Sequence, residues 1–428
     1  MIQNPSSTEL VEPDQPQGVA EVLREAARAR TAVFPLGGGT AGSGWRPPQQ
    51  PGLRLSLAKL NRLIDYPARD LTITVEAGMT VAEVQRQLAA NGQRLPVEIP
   101  YPDRATLGGA VAANSSGPRR YGCGTLRDYL LGLRAVDGCG TEFAAGGRVV
   151  KNAAGYDLCK LLIGSWGTLG VITQLTLMVR PALEASALVA CDVSDFRRGE
   201  ELLCELAGPQ FRPVAIELLA GPAWQDDPLL ARQSEAAVAR LVVGFEAARG
   251  EVEGMVGQLT ASWQARTGAA PAVVRDDAAA PHWDRLVHGG IPSRTTPPNG
   301  DRATNGDAPF LALKVCVKPS AVIAAASELL RMGDGVVIQS HAGNGVIHAR
   351  LPLRRADDAR SVLDRQVRPC VAAAAGKLVV ESFPAGLDFS TREVWGSSGD
   401  AAAVMCILKQ QFDPQGVLNP GRFIFENS

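Results

Sequence analysis

The chain has 428 residues, which is long for a single hydrophobic core and predicts two domains. Apolar residues make up 46% and charged residues 20% of the composition, as in a soluble globular protein. A formal net charge of -1 gives no sign of a surface for nucleic acid or for anionic membranes.

The first part of the chain predicts short helices and strands in alternation. Residues 17–30 predict a helix with one apolar face. Thr80 begins a second helix, Glu83 stands where a capping box needs an acid, and Gly92 ends the helix. The predicted strands are residues 31–36, 71–77, 133–137, 141–144 and 171–179, of which the third and fourth form a hairpin.

After Arg180-Pro181 the pattern changes to strands interleaved with helices, which predicts a second sheet with helices on one face. The predicted strands are residues 186–193, 214–220, 240–246 and 310–317, and the predicted helices are 195–207, 249–266 and 320–332. Residues 291–308 are rich in Pro, Gly, Thr, Asn and Asp and predict a mobile loop. A last helix begins near Asp400, with Val404, Ile407, Leu408 and Phe412 on one face. No internal repeat is visible.

Cysteine usage and hydropathy narrow the class of protein further. The eight cysteines form no CxxC pair, which argues against a zinc finger or an iron–sulfur cluster held by this chain alone. We expect reduced thiols that pack as small apolar residues. The N-terminal sequence does not resemble a signal peptide, and no apolar run is long enough to span a bilayer. We therefore expect a cytoplasmic protein, which would reach the inner membrane only through partners.

The first glycine-rich segment, residues 37–44, follows a predicted strand and formally matches the dinucleotide fingerprint GxGxxG. A Rossmann loop must open a helix, and Trp45-Arg46-Pro47-Pro48 cannot continue as one, so an NAD site is excluded. Successive glycine N–H groups with the hydroxyls of Thr40 and Ser43 form a concave anion nest that suits a pyrophosphate. For this segment alone, a surface turn without a ligand is an equal alternative.

Two further segments keep the main chain bare. Residues 105–117 are small throughout, which allows close approach to a flat ligand. Residues 151–158 read KNAAGYDL, and residues 162–173 read LIGSWGTLGVIT, with glycines beside a predicted strand. Three unrelated loops would be a poor joint explanation of these segments.

In this order the segments resemble the FAD-binding domain of the vanillyl-alcohol-oxidase, or PCMH-type, family, over about residues 31–181. The resemblance is to the branch that holds D-lactate dehydrogenases and glycolate oxidase subunits, and residues 412–422 look like that family's C-terminal return to the flavin. It implies an α+β fold: a PCMH-type two-part FAD-binding domain, an α/β cap domain that could be ferredoxin-like, and a C-terminal helix that returns to the FAD domain. The implied division is residues 1–182 for the FAD domain, 183–375 for the cap and 376–428 for the returning segment.

The resemblance also implies the cofactor contacts. The first loop would hold the pyrophosphate, the small-residue segment would line the flavin and ribityl chain, and the third would hold the adenine side. The implied FAD-binding residues are Gly37, Gly38, Gly39, Thr40, Gly108, Gly109, Asn114, Gly117, Thr168, Gly170, Val171, Ile172 and Asn419. No histidine precedes His282, so the FAD is expected to be non-covalent. One departure is Trp166, where the family commonly has Glu; an indole there would shield the adenine pocket or simply pack.

The segment from His341 to His348 resembles HxGDGNxH of FAD-dependent 2-hydroxy-acid dehydrogenases, in which both histidines bind a divalent metal. Here Asn344 replaces the acid and Val346 the asparagine. The family's later Glu-His-Gly, which supplies a catalytic base, aligns with Glu381-Ser382-Phe383. Hydride transfer from a 2-hydroxy acid needs a group that takes the hydroxyl proton, and no such group is apparent. We therefore favour the interpretation that His341 and His348 are remnants in a β-hairpin over a working metal site. We assign no catalytic residue and no metal ligand.

An intact FAD domain beside a degraded substrate site is similar to the second flavin subunit of bacterial glycolate oxidase. The implied partners are a larger FAD-linked subunit that oxidises glycolate to glyoxylate and an iron–sulfur subunit that passes electrons to quinone. Two alternatives stay open. One is a free-standing FAD-dependent 2-hydroxy-acid dehydrogenase, which Ser382 disfavours. The other is a structural subunit with a non-catalytic or empty flavin site, which the unbroken glycine loops disfavour.

Overall fold

A computed structural model describes residues 9–41, 48, 50–147, 156–289, 308–397 and 399–422 of the chain. Residues 291–307 of the expected mobile loop, residues 42–44 of the first glycine-rich segment and residues 151–155 lie outside the described residues. No helix in the described ranges combines the length and the apolar character that crossing a membrane requires.

The described elements are numbered in chain order. The strands are β1 (Glu9–Val11), β2 (Ala32–Leu36), β3 (Gly52–Ser56), β4 (Leu63–Asp65), β5 (Thr72–Glu76), β6 (Gln93–Arg94), β7 (Leu130–Val136), β8 (Glu142–Gly146), β9 (Val171–Met178), β10 (Arg180–Pro181), β11 (Ala185–Val193), β12 (Ala215–Ala220), β13 (Ala239–Ala247), β14 (Ala272–Arg275), β15 (Phe310–Cys316), β16 (Val337–His341), β17 (Val346–Pro352) and β18 (Lys377–Ser382). The helices are α1 (Pro16–Ala29), α2 (Val81–Ala89), α3 (Leu107–Ala113), α4 (Arg120–Cys123), α5 (Leu126–Tyr129), α6 (Leu158–Leu162), α7 (Phe196–Leu206), α8 (Arg249–Thr267), α9 (Ala280–Val287), α10 (Val322–Leu330), α11 (Ala359–Val362), α12 (Arg368–Ala373), α13 (Thr391–Trp395) and α14 (Ala402–Phe412).

The chain divides into two compact units. Unit 1 comprises residues 1–116, 125–182 and 389–428, and unit 2 comprises residues 117–124 and 183–388. The expected boundary between residues 375 and 376 is therefore misplaced. The reason is β18, which pairs with β15 and keeps the chain in the sheet of unit 2 up to residue 382.

Unit 1 holds two main sheets. The smaller one has the order β1-β3-β2 with parallel pairing, and Leu418 adds a parallel bridge to Val33 of β2. The larger one is antiparallel with the order β4-β5-β9-β7-β8, and it includes the predicted hairpin. The next element described after β2 is the strand β3.

Helices α1 and α2 form where the sequence predicts them. The apolar face of α1 buries Val19 and Leu23 completely in one core cluster of unit 1. The hydroxyl of Thr80 accepts from the main-chain N–H of Glu83 (3.3 Å), as an N-cap should. The Glu83 carboxylate binds Arg86 (2.9 Å to Nε), so the side chain expected to complete a capping box serves an ion pair one turn later.

The last helix, α14, forms as predicted but with a different inward face. Val404 and Ile407 are 59% and 58% exposed. The partly buried stripe is Met405, Leu408, Lys409 and Phe412, whose spacing also fits one helix face. The predicted and the observed inward faces share Leu408 and Phe412 and differ at the other two positions. One of these is Lys409, a charged residue that an apolar pattern cannot indicate.

Unit 2 is built on one eight-stranded antiparallel sheet with the order β14-β11-β13-β12-β16-β17-β15-β18. The first half runs β11-α7-β12-β13-α8-β14 and the second β15-α10-β16-β17-α12-β18. Each half is a ferredoxin-like βαββαβ unit, and the pairing of β12 with β16 joins them edge to edge. The expected ferredoxin-like cap thus occurs twice, as a structural repeat that the sequence does not reveal.

The crossing of main-chain segments at Gly78 gives a direct test of the packing in unit 1. A Cβ at this position would overlap the carbonyl oxygen of Leu57 and lie 2.7 Å from that of Leu60. Gly78→Ala should therefore lower the thermal unfolding midpoint, at a cost of about 1–3 kcal/mol or more, because main-chain atoms cannot move aside as side chains do. Gly254→Ala on the exposed side of α8 is the matched control, since nothing lies within 4 Å of its Cβ. Equal midpoints for both variants would contradict this packing.

Candidate functional site

A cavity of about 160 Å³ in unit 1 brings together segments that lie far apart in the sequence. The loop after β2, helix α3, the turn before β9 and the C-terminal segment all contribute to its lining. The sequence-predicted residues that line it are Gly37, Gly38, Gly39, Thr40, Gly108, Gly109, Gly170, Val171, Ile172 and Asn419. Their convergence in one cavity is what the three motifs and the C-terminal match imply.

Three of the sequence-predicted residues do not line this cavity. Asn114 ends helix α3 in a left-handed conformation (φ 53°), so its role is that of a helix C-cap. The Thr168 hydroxyl is buried and donates to the Ser165 carbonyl oxygen (2.6 Å). Gly117 belongs to unit 2, because residues 117–124 join its sheet through the bond from Gly122 N–H to the Val214 carbonyl oxygen (3.0 Å).

Two loops are pressed together at one wall of the cavity, which explains several glycines. A Cβ on Gly37 would overlap the hydroxyl of Thr106, and one on Gly38 would overlap the carbonyl oxygen of Arg104. A Cβ on Gly108 would lie 2.6 Å from that of Ala77. These glycines are therefore required by main-chain packing, whereas Gly39 adopts a left-handed conformation (φ 66°) with only one atom, 4.0 Å away, near its Cβ position.

The walls of the cavity are tied to one another by main-chain hydrogen bonds. The N–H of Trp166 donates to the carbonyl oxygen of Ala112 (2.9 Å), which joins the turn before β9 to helix α3. Val33 of β2 donates to Val417 (2.8 Å) and accepts from Asn419 (2.9 Å), as an added strand would. The cavity is thus a product of the folded main chain and not of long side chains.

The polar groups at the cavity suit an anion. Within the described part of the chain, no hydrogen bond uses the main-chain N–H groups of residues 37–41. Among the described lining residues, Arg422 carries the only charge. Burial lowers the pKa of its guanidinium to about 10, which still leaves it charged at neutral pH. Arg422 is not among the sequence-predicted site residues, although an arginine directly after Asn419-Pro420-Gly421 was the available signal.

Unit 2 places the paired histidines in a β-hairpin, on β16 and β17. Nδ1 of His341 lies 2.7 Å from a carboxylate oxygen of Glu217, and Nδ1 of His348 lies 3.0 Å from one of Glu381. The two imidazole rings are 5.5 Å apart between centroids. The described residues contain no group of three or more His, Cys, Asp or Glu side chains arranged to hold a metal ion.

The carboxylate beside His348 is engaged by that imidazole. Burial raises the pKa of Glu381, but the adjacent His348 and the charge of Lys314 outweigh this effect and hold the pKa below its usual range. A lowered pKa makes a weaker proton acceptor. Ser382 follows at the end of β18, opposite Ala312 of β15. Ser382 is the residue that aligns with the family's catalytic base, and it carries a hydroxyl group.

Comparison with known proteins supports an FAD-binding domain in this part of the chain. Residues 8–146 match the model of a family described as "FAD binding domain". The glycolate oxidase subunit GlcE of Escherichia coli is 33% identical over 247 residues, which cover 56% of this chain and 68% of that protein. The chain belongs to the PCMH-type FAD-binding family. It is accordingly a flavoprotein of an FAD-dependent oxidoreductase family.

Two further comparisons cover almost the whole chain. A D-lactate dehydrogenase of Archaeoglobus fulgidus is 26% identical over an alignment of 428 positions, which covers 97% of this chain and 91% of that protein. A structure of alkyldihydroxyacetonephosphate synthase superposes with a TM-score of 0.68 at 16% identity, and covers 96% of this chain and 75% of the other. The second likeness shows the fold alone, and this fold agrees with the α+β architecture predicted from the sequence.

The cavity fits FAD in its chemistry. Residues 37–41 and Arg422 would hold the pyrophosphate, because they supply the N–H donors and the positive charge that two phosphates need. The alanines and glycines of α3 leave room for a flat ring beside the main chain. No histidine or cysteine is among the described lining residues, which is in keeping with the expectation of non-covalent FAD.

Arg422→Gln should raise the Kd for FAD by about ten- to a hundredfold, since hydrogen bonds to charged groups contribute about 1.5–3 kcal/mol. The measurement is a titration of the FAD-free chain followed by flavin fluorescence. Arg28→Gln, an exposed position in the last turn of α1, is the control for the same change in charge. Equal affinities in the two variants would remove Arg422 from the site.

Proposed function

We propose that the chain is the FAD-binding subunit of a multi-subunit glycolate oxidase, which oxidises glycolate to glyoxylate. The likeness to the GlcE subunit, which extends over two thirds of that protein, supports this assignment. The expected partners are a larger FAD-linked subunit and an iron–sulfur subunit that passes electrons to quinone. We further propose a cytoplasmic location, with any membrane association made through these partners.

One contrast carries the proposal: segments of the expected FAD site converge on one cavity, but the candidate substrate residues lack a base. Oxidation of a 2-hydroxy acid removes a hydride from carbon and a proton from the hydroxyl group. Bound FAD would supply the acceptor for the hydride. Ser382 stands at the position expected for the base, and the neighbouring Glu381 binds His348. A chain with this arrangement would depend on a partner for the proton transfer.

The chain's own residues would then serve the cofactor. Arg422 would balance the phosphate charge, and the packed loops at Gly38 and Gly108 would fix the main-chain N–H groups before the cofactor arrives. Groups that are already in place need no reorganisation on binding, which favours tight and oriented binding. In this view the chain holds one FAD, which is the second flavin of the complex and either relays electrons or completes the assembly.

A free-standing 2-hydroxy-acid dehydrogenase is the second candidate. The D-lactate dehydrogenase of A. fulgidus supports it, because the match extends over nearly the whole length of both proteins. A third candidate is a structural subunit whose flavin takes no part in turnover. The first two candidates differ in whether the chain alone can reduce its flavin.

The test compares the purified chain with the chain co-expressed beside its candidate partners. Without oxygen, glycolate or D-lactate should leave the visible flavin absorption band of the isolated chain unchanged, because the residue aligned with the family's base is Ser382, whose hydroxyl is a poor proton acceptor. The co-expressed complex should reduce an added dye when glycolate is present, and should lose that activity when the chain is omitted.

Ser382→Ala in the complex should keep glycolate-dependent dye reduction near the wild-type rate, whereas Arg422→Gln should lower it through loss of FAD. Bleaching of the isolated chain by either acid at a catalytic rate would establish the free-standing dehydrogenase instead. Activity of the complex that is unchanged by the loss of FAD from Arg422→Gln would favour the structural subunit.

A further inference from the structure

We propose that the indole of Trp166 stacks on an aromatic ring of bound FAD, as a cofactor-positioning wall of the cavity. The inference rests on the family assignment and not on the substrate proposed above. Three observations carry it: a left-handed main chain at a bulky residue, a second indole packed against the first, and the place of Trp166 in the lining.

The main chain at Trp166 is in an unfavourable conformation for its side chain. Its φ is 56°, in the region where glycine is normally found, and the next residue, Gly167, has a φ of 66°. Two hydrogen bonds hold this conformation: Trp166 N–H donates to Ala112 (2.9 Å), and the Trp166 carbonyl oxygen accepts from Asn419 Nδ2 (2.9 Å). Strain that is retained in this way is typical of positions with a functional role.

The indole is held from one side by another aromatic ring. Trp395 packs against it edge to face, with ring centroids 6.0 Å apart and an angle of 64° between the planes. Trp395 ends helix α13, whose first turn is fixed by the reciprocal bonds of a capping box between Ser390 and Glu393. The indole of Trp166 therefore lines the cavity and is held in place by its packing against Trp395.

The other described lining residues do not supply an aromatic surface for the rings of FAD. The loop at residues 37–41 and Arg422 provide for the phosphates, and the rest of the lining is mainly glycine, alanine and aliphatic side chains. FAD carries two flat ring systems, adenine and isoalloxazine, and Trp166 is the only aromatic side chain among the described lining residues. Either ring would present a face of suitable size to the indole.

The test titrates the FAD-free full-length chain with FAD and follows indole emission as well as affinity. Trp166→Leu should raise the Kd by about two- to tenfold, as expected for loss of one aromatic contact. It should also reduce the quenching of indole emission that FAD causes. Trp166→Phe should keep the affinity within about twofold, because a ring remains, while it too reduces the quenching.

Trp263→Phe is the matched control, since Trp263 is fully buried in unit 2. It should change neither affinity nor FAD-dependent quenching. Titration with ADP and with FMN then separates the two rings: quenching by ADP that Trp166→Phe abolishes assigns adenine, and the same result with FMN assigns isoalloxazine.

A merely structural role for Trp166 would lower the thermal midpoint of the Leu variant without altering the quenching per bound FAD in the Phe variant. If Trp166→Phe retained the wild-type quenching with FAD, ADP and FMN, the proposal would be overturned. Because no turnover is measured, that result would leave the proposed glycolate oxidase function standing.

Discussion

A partly buried lysine holds the C-terminal segment against the cavity of unit 1. The ammonium group of Lys409 donates to the carbonyl oxygens of Thr168 (2.8 Å) and Leu418 (3.0 Å) and to the Asp413 carboxylate (2.6 Å). Asp413 also accepts from the N–H groups of Val417 (3.0 Å) and Leu418 (2.8 Å). Burial lowers the pKa of Lys409, and the Asp413 carboxylate opposes this effect. Removing one partner of such a pair costs about 3–5 kcal/mol, so the pair fixes residues 417–422 at the cavity.

The parts of the site that the sequence predicts are those that leave a visible pattern in a short stretch of residues. Gly37 and Gly38 admit no side chain in the loop after β2, and the glycine pattern indicates this even though the groups they meet, Thr106 and Arg104, lie far along the chain. The strands around the cavity carry apolar alternation that is legible in a short window. The ferredoxin-like repeat of unit 2 was missed because its two halves share topology and not sequence.

The parts that the sequence does not predict depend on partners far along the chain. The role of Lys409 requires Asp413 and also Thr168, 241 residues away. Asn114 is in the predicted segment but caps α3, and only the observed φ of 53° distinguishes that role from a cofactor contact. Arg422 was passed over because its importance comes from a cavity that exists only after residues 417–422 join β2.

Hydrogen exchange of the full chain with and without FAD tests most directly whether these distant segments form one cofactor site. The structure predicts that FAD slows exchange together in residues 36–41, 105–113, 166–172 and 417–422, which contain most of the cavity lining. Helix α8 in unit 2 should show no comparable change. Protection confined to a single segment, or equal protection in α8, would contradict a shared site.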